Sequence, residues 1–390
     1  MSQAMDLAGS YTLRPGVPHS IEGRRPVMGP GLLGQLLRGQ QGEAVERSLG
    51  HLFTLCSHAH RRTARLAINA ANPRQEQRLP NAPPVCLWLE TARDHLRSMA
   101  LDWPRRQPGS LSHADQLAWL RDCPLAMNHS TSQITNDQAW EALTQLRHWI
   151  EARLLDQPVV RWLIHHREPD ALAQWCRSHA PNLPPAHMLH RWHGLAHPLK
   201  PALRSLNLLN VDPAQQTLAL QALAYALASD KHFAQRPSWQ GQCAETGPWT
   251  RLRHQKKPTT SVISAWTRLA SRWTELMEIA AIQPHASAPR TTELLGSGAL
   301  QIDKGQAIAW CEMARGLLLH WVQLDVQGQV LDYRVVAPTE WNFHPQGVLA
   351  RALTTLAPQD TVSASALAAA FDACVECQVI TPTAAESAHA

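Results

Sequence analysis

Hydrophobic residues recur at helical spacing along much of the chain, which predicts a protein built mainly from amphipathic helices. The segment from Val85 to Leu101 (VCLWLETARDHLRSMAL) shows this pattern, and the helix should stop at Trp103-Pro104. Similar patterns predict further helices over residues 44–71, 139–155, 214–229 and 261–281.

The pattern changes in the C-terminal third, where two β-rich runs replace the helical spacing. Residues 316–324 and 329–336 lie on either side of the turn sequence DVQG, whose Gly328 can take a positive φ, and together they predict a hairpin. The expected fold class is mainly α with a small β region (α+β). We expect one domain over residues 1–380 and a flexible tail over 381–390.

Composition and charge exclude several classes of function. The chain has 390 residues, is 44% hydrophobic, and carries a net charge of +5 that is spread along the sequence. Without a basic stripe, nucleic-acid binding is not expected. The chain has no run of about 18 apolar residues, so a membrane span is not expected. The N-terminus does not resemble a secretory signal, because no apolar segment follows the pair Arg24-Arg25, and we expect a cytoplasmic protein.

Two of the eight cysteines show the spacing of metal ligands. Cys374 and Cys377 place two thiolates on one turn, where they can hold one metal or two bridged metals, or act as a redox dithiol. The motif alone does not choose among these. Five of the other cysteines are predicted to be buried core thiols, namely Cys86, Cys123, Cys176, Cys243 and Cys311.

Four segments give this cysteine pair a context. They are Ala314-Arg315-Gly316, His320-Trp321, Pro338-Thr339-Glu340-Trp341-Asn342 and Asp372-Ala373-Cys374-Val375-Glu376-Cys377. In this order and approximate spacing they resemble the C-terminal part of nickel–iron hydrogenase large subunits. Weaker matches at residues 20–23, 52–60 and 244–251 extend the resemblance from about residue 20 to 380. The resemblance implies a large-subunit-like fold.

The departures from the large-subunit pattern concern the metal ligands. Large subunits hold nickel and iron with two cysteine pairs, and the second cysteine of each pair bridges the metals. Here Phe53 occupies the first position of the N-terminal pair, which leaves Cys56 and Cys377 at bridging positions and Cys374 at a nickel-only position. Since a phenyl ring cannot ligate a metal, the resemblance implies a site for iron and argues against nickel.

The resemblance also implies residues around the diatomic ligands of the iron. Arg315 matches an arginine beside these ligands, and Thr339 matches a hydroxyl residue that hydrogen-bonds a cyanide. His60 matches a histidine near the bridging sulfurs, and Glu22 matches a proton-relaying acid. Plainer interpretations stay open, in which Glu22 supports local backbone hydrogen bonds and Arg315 caps a loop or pairs with a carboxylate.

One further departure concerns processing of the C-terminus. Ile380 stands where large subunits carry the histidine that signals removal of a C-terminal peptide after nickel insertion, and Ala373 replaces the proline of their Asp-Pro-Cys segment. We therefore expect that no nickel-triggered cleavage takes place near this position.

Together these features resemble hydrogenase accessory proteins of the HupK/HoxV type. That resemblance implies a maturation scaffold without enzymatic turnover, which transiently carries iron with its cyanide and carbonyl ligands. The expected partners are a small assembly chaperone of the HypC/HupF type and the hydrogenase large-subunit precursor or other maturation proteins. Two alternatives remain: a divergent hydrogenase with an incomplete nickel site, and a dithiol protein that binds a metal or serves in redox chemistry.

Overall fold

Helices form most of the structure, a computed structural model that describes residues 7–72, 84–107, 117–125, 135–209, 211–251, 263–283 and 294–383. The predicted fold class, mainly α with a small β region, is confirmed. The helices in these ranges are α1 (Leu32–Leu37), α2 (Glu43–Leu52), α3 (Ser57–Ala71), α4 (Pro84–Arg97), α5 (Trp103–Arg106), α6 (Asn136–Ile150), α7 (Val159–His166), α8 (Pro169–His179), α9 (Pro184–Ala196), α10 (Pro213–Ser229), α11 (Ala265–Ala280), α12 (Pro338–Asn342), α13 (Val348–Thr354) and α14 (Thr361–Phe371).

The helix predicted from Val85 to Leu101 is present but continues further than expected. A π-helical turn, Ser98–Asp102, joins α4 directly to α5. Pro104 does not end the helix, because it lies in the first turn of α5, where the missing N–H costs little.

The predicted hairpin is confirmed as part of a larger antiparallel sheet. Its four strands are β3 (Ser297–Asp303), β4 (Gln306–Met313), β5 (Gly316–Leu324) and β6 (Val330–Val336), paired in sequence order. At the turn between β5 and β6, Gly328 has φ +84° and the Asp325 side chain accepts hydrogen bonds from the backbone N–H groups of Gln327 and Gln329. Strands β3 and β4 were not predicted from the sequence.

A second, three-stranded sheet joins the two ends of the chain. It consists of β1 (Ser10–Leu13), β2 (Ile21–Arg24) and β7 (Glu376–Val379), in the order β2-β1-β7. The β1–β7 pairing is parallel and places Tyr11 opposite Cys377. The C-terminal cysteine segment is therefore held against the N-terminal part of the chain.

The core lies between the four-stranded sheet and the helices. Helix α3 packs on β3, β4 and β5, while α11 packs against α4 and α14. No helix in the described ranges is both long enough and apolar enough to cross a membrane. The single domain over residues 1–380 stays a prediction, and residues 384–390 of the predicted tail lie outside the described ranges.

Candidate metal-binding site

The N-terminal cysteine is held at the start of a helix by a carboxylate from a neighbouring helix. Cys56 ends a short 3-10 turn (Thr54–Cys56) that leads directly into α3. The buried Glu90 side chain on α4 accepts hydrogen bonds from the backbone N–H groups of His58 and Ala59, at 2.7 and 2.8 Å. This carboxylate satisfies N–H groups that the first helical turn leaves unpaired, and so fixes the position of Cys56.

The C-terminal cysteines lie in the short connection between α14 and β7 and at the start of that strand. Asp372 ends α14 with a φ of +49°, which turns the backbone toward the strand. Asn342 on α12 holds the end of α14 by donating hydrogen bonds to the carbonyl groups of Thr246 and Phe371, at 2.9 and 3.4 Å. Cys374 and Cys377 are therefore fixed by contacts on both sides of the connection.

Cys56 lies close enough to Cys374 for the charge of Cys374 to affect the Cys56 thiol. Burial raises the pKa of the Cys56 thiol, and the charge of Cys374 raises it further. Burial also raises the pKa of Cys377, but there the neighbouring charge is Arg106, which also donates a hydrogen bond to the Cys377 carbonyl (3.1 Å). In the described ranges no group of three or more His, Cys, Asp or Glu side chains is close enough to hold a metal ion. A metal role for the three cysteines stays a prediction.

Thr339 lies directly beside one of these sulfurs. Its hydroxyl oxygen is 3.1 Å from the Cys374 sulfur, and it accepts a 3.4 Å hydrogen bond from the Cys374 backbone N–H. Because the hydroxyl accepts from the backbone, its own proton is available to the sulfur. The observed partner of Thr339 is thus the Cys374 sulfur, and its role toward a cyanide ligand stays a prediction.

Arg315 is buried, and part of its guanidinium has no partner. One nitrogen, Nη1, donates to Asp94 (2.9 Å), and Nε lies 3.4 Å from Asp372. Burial alone would lower its pKa, but the charges of Asp372, Asp94, Cys374 and Cys56 raise it. Nη2 is also buried and meets no acceptor among the described residues. The guanidinium therefore makes the carboxylate pairing of the plainer interpretation and also has an unused donor, and its role beside iron ligands stays a prediction.

His60 belongs to a buried stack of rings. Its ring lies 3.8 Å from the Phe53 ring and nearly parallel to it, and its Nδ1 is 3.1 Å from Nε2 of His320. The other nitrogen of His320 is 2.7 Å from the Tyr333 hydroxyl. Burial lowers the pKa of both histidines, that of His320 to about 3, so both rings are neutral at pH 7. The Phe53 ring thus covers one face of the His60 ring.

Glu22 lies outside the buried site, which does not match the position expected for a proton-relaying acid. On β2, Ile21 is buried, whereas Glu22, Gly23 and Arg24 are all exposed. The Glu22 carboxylate, 53% exposed, forms a 2.5 Å ion pair with Arg14. A local role on the sheet is the interpretation that the structure favours.

A second buried ion pair, which the sequence did not suggest, lies beside Phe53. The Arg25 guanidinium is 3.4 Å from both carboxylate oxygens of Glu340 and 5.6 Å from the centre of the Phe53 ring. In the sequence Arg25 was indistinguishable from its neighbour Arg24, which is exposed. The sequence carried no signal for this pairing, because it joins side chains from separate elements.

A cavity of about 470 Å³ borders the C-terminal cysteines. The charged residues in its wall are Arg97, Asp102, Arg105, Arg106, Asp372 and Glu376. Leu55, next to Cys56 in the sequence, contributes an apolar part. Both Cys374 and Cys377 line the cavity. A metal complex larger than a bare ion therefore has space next to these two residues.

Comparisons with known proteins identify the family. A family model described as nickel-dependent hydrogenase matches residues 269–379. The hydrogenase expression/formation protein HoxV of Cupriavidus necator is 37% identical over 402 residues, which cover 96% of each chain. The chain belongs to the family of hydrogenase expression/formation proteins. HupK of Rhizobium leguminosarum bv. viciae, with the same description, is 28% identical over 91% of each chain.

These relatives confirm the predicted resemblance to hydrogenase accessory proteins. HupK of Bradyrhizobium diazoefficiens, also a hydrogenase expression/formation protein, is 35% identical over 40% of this chain. A solved NAD+-reducing nickel–iron hydrogenase covers 92% of the chain at 14% identity, with a TM-score of 0.45, a likeness too slight to inform the site. As a hydrogenase expression/formation protein, the chain has a role in hydrogenase maturation.

Proposed function

We propose that this hydrogenase expression/formation protein transiently carries iron, with its cyanide and carbonyl ligands, for assembly of the hydrogenase large subunit. The observation that carries the proposal is the buried Arg315 Nη2, which has no acceptor among the described residues. The charges of Cys56 and Cys374 act on the same guanidinium. An unpaired buried donor is costly, and the nitrogen end of a cyanide ligand would satisfy it.

The chemistry of the neighbouring groups suits the same cargo. Thiolates are soft ligands for iron, and each thiol releases its proton when it binds the metal. Cyanide ligands carry negative charge, which the Arg315 guanidinium stabilises at short range. A zinc ion held by a simple dithiol would leave this donor unused, so the arrangement favours the iron cargo over the dithiol alternative.

The proposed partners follow from where the cargo is exposed. Cys374 and Cys377 border the cavity, whereas Cys56 is 5% exposed and does not line it. We expect a small assembly chaperone of the HypC/HupF type to deliver the iron complex from the cavity side, and the large-subunit precursor to receive it there. In this mechanism the protein binds and releases its cargo and performs no turnover of hydrogen.

Infrared spectroscopy of protein purified anaerobically from its native host tests the proposal. We expect cyanide and carbonyl stretching bands together with bound iron, and the loss of both in Cys56→Ala. Cys176→Ala is a matched control, because Cys176 is a fully buried thiol in the helical core on α8. Zinc in place of iron, or iron without these bands, would refute the proposed cargo.

A further inference from the structure

Phe53 replaces a cysteine ligand of the large-subunit pattern, and its ring also packs against the buried cation of Arg25. The Phe53 ring is 4% exposed, with His60 stacked on it at 3.8 Å. The Arg25 guanidinium carbon lies 5.6 Å from the centre of the same ring, within the range of a cation–π contact. The position that the sequence assigned to a missing nickel ligand is thus occupied by a ring and is next to a fixed positive charge.

Glu340 holds this charge between the two cysteine segments. Both carboxylate oxygens of Glu340 are 3.4 Å from Arg25, and the two side chains are 2% and 5% exposed. Glu340 directly follows Thr339, whose hydroxyl contacts the Cys374 sulfur, and Phe53 lies three residues before Cys56. Arg25 is therefore linked by direct contacts to the segment of each cysteine.

The charge of Arg25 acts on the thiols. Burial alone would lower the pKa of this guanidinium, but the negative charges of Cys374, Glu340 and Cys56 raise it above its ordinary value. Arg25 is therefore positively charged, as arginine side chains in proteins are. Charges in a buried site are poorly screened, so a metal ion bound at these sulfurs would interact with Arg25 strongly.

We propose that Arg25, fixed by Glu340 against Phe53, excludes a bare divalent metal ion such as Ni²⁺ from the thiol site. A bare Ni²⁺ would bring two positive charges next to the guanidinium. Iron with cyanide ligands carries less net positive charge than bare Ni²⁺. It can therefore bind beside the same guanidinium with less electrostatic repulsion. The inference rests on the proposed function in that it takes the thiols to be a metal site.

Nickel binding to reduced, metal-free, full-length protein tests the proposal. Phe53→Cys restores a thiol, and a second variant combines Phe53→Cys with Arg25→Leu and Glu340→Gln, so that no buried carboxylate loses its partner. We expect Phe53→Cys alone to raise the Ni²⁺ affinity less than about threefold, and the triple variant to raise it at least about tenfold over Phe53→Cys. Thiolate-to-nickel charge-transfer absorption reports binding in both.

The controls separate the charge of Arg25 from other effects. Phe53→Cys with Arg25→Lys keeps the charge and should bind nickel as weakly as Phe53→Cys, and adding Arg24→Leu removes only an exposed arginine and should change nothing. Heat unfolding verifies that each variant is folded. If the triple variant does not fold, the variant Phe53→Cys with Arg25→Gln replaces it in the same comparison.

Equal nickel affinity of Phe53→Cys and the variant without the Arg25 charge would overturn the proposal. So would tight nickel binding by the Arg25→Lys version. The proposed function has a separate readout, because iron and infrared bands are measured on unmodified protein from the host. Absence of those bands from the unmodified protein would refute the iron cargo. Equal nickel affinities of the variants would refute only the role of Arg25.

Discussion

The Thr339 hydroxyl oxygen lies 3.1 Å from the Cys374 sulfur, although 35 residues separate the two in the chain. The hydroxyl also accepts a hydrogen bond from the Cys374 backbone N–H, so its proton points to the sulfur whenever the sulfur carries negative charge. A hydrogen bond to a charged group contributes about 1.5–3 kcal/mol. This contact therefore favours the metal-bound form of Cys374.

Replacing this hydroxyl should weaken metal retention. We predict that Thr339→Val reduces the iron bound per protein about tenfold under competition with a chelator, since the lost hydrogen bond is worth about 1.5 kcal/mol. Thr339→Ser keeps the hydroxyl and should retain iron like the unmodified protein. Equal iron retention in Thr339→Val and Thr339→Ser would show that the contact has no part in metal binding.

The two C-terminal cysteines should differ in importance. Sequence comparison favoured Cys377 as the partner of Cys56, whereas in the structure Cys374 is the cysteine whose charge acts on Cys56. We predict that Cys374→Ala loses iron and cyanide bands as completely as Cys56→Ala, and that Cys377→Ala retains part of both. Iron analysis and infrared spectra of the three variants decide between the two assignments. Full loss only in Cys56→Ala and Cys377→Ala would support the sequence-based one.

Arg315 should have separable roles in folding and in cargo binding. Arg315→Gln leaves Asp94 without its buried ion-pair partner, and we predict that it lowers the free energy of unfolding by about 3 kcal/mol. Arg315→Lys keeps the charge but not N–H donors on three separate nitrogens, so we expect a folded protein with shifted cyanide stretching bands. Urea unfolding and infrared spectra measure the two effects. Unchanged bands in a folded, iron-loaded Arg315→Lys would contradict contact between Arg315 and a cyanide ligand.

The buried histidine pair should make the protein sensitive to acid. Burial lowers the pKa of His320 to about 3, while the unfolded chain protonates near its ordinary value of 6.5. The stabilisation is therefore present above pH 6.5 and is lost as the pH falls toward 3, by up to about 1.4 kcal/mol per pH unit. We predict that His320→Gln has a shallower fall in the free energy of unfolding between pH 7 and 4. His232→Gln, at an exposed position, should match the unmodified slope.

The chain should remain uncut near its last cysteine. Ile380 replaces the histidine that signals processing, and its backbone N–H donates to the carbonyl of Leu13 at 3.0 Å, which continues the β1–β7 pairing. We predict that intact-mass measurement on protein from a nickel-supplied host shows an unbroken chain across Cys377–Ile380. The processed large subunit of the same host is the positive control. A major species ending between these residues would contradict the prediction.

The sequence predicted those parts of the molecule that depend on local patterns. The turn at Gly328 and the amphipathic helix beginning near Val85 follow from spacing over a few residues. Glu22 was assigned by its place in a motif, but it lies with Gly23 and Arg24 on the exposed part of β2. A motif match therefore does not fix the direction in which a side chain points.

The residues that the sequence did not single out become visible only through tertiary contacts. Arg25 differs from Arg24 because it meets Glu340, 315 residues further along the chain. Glu90 likewise resembles an ordinary helix residue until its carboxylate caps α3. Neither pairing has a sequence signal of its own, because each joins side chains from separate elements.

The parallel pairing of β1 with β7 has a consequence for the timing of synthesis. Ser10–Leu13 is made more than 360 residues before its partner Glu376–Val379. A ribosome-bound chain that has not reached Cys374 has only one of the three thiols and an unfilled place beside Tyr11. If the three thiols hold the proposed iron cargo together, it could be loaded only after translation has passed this point, and a truncated product would leave assembly proteins free for complete chains.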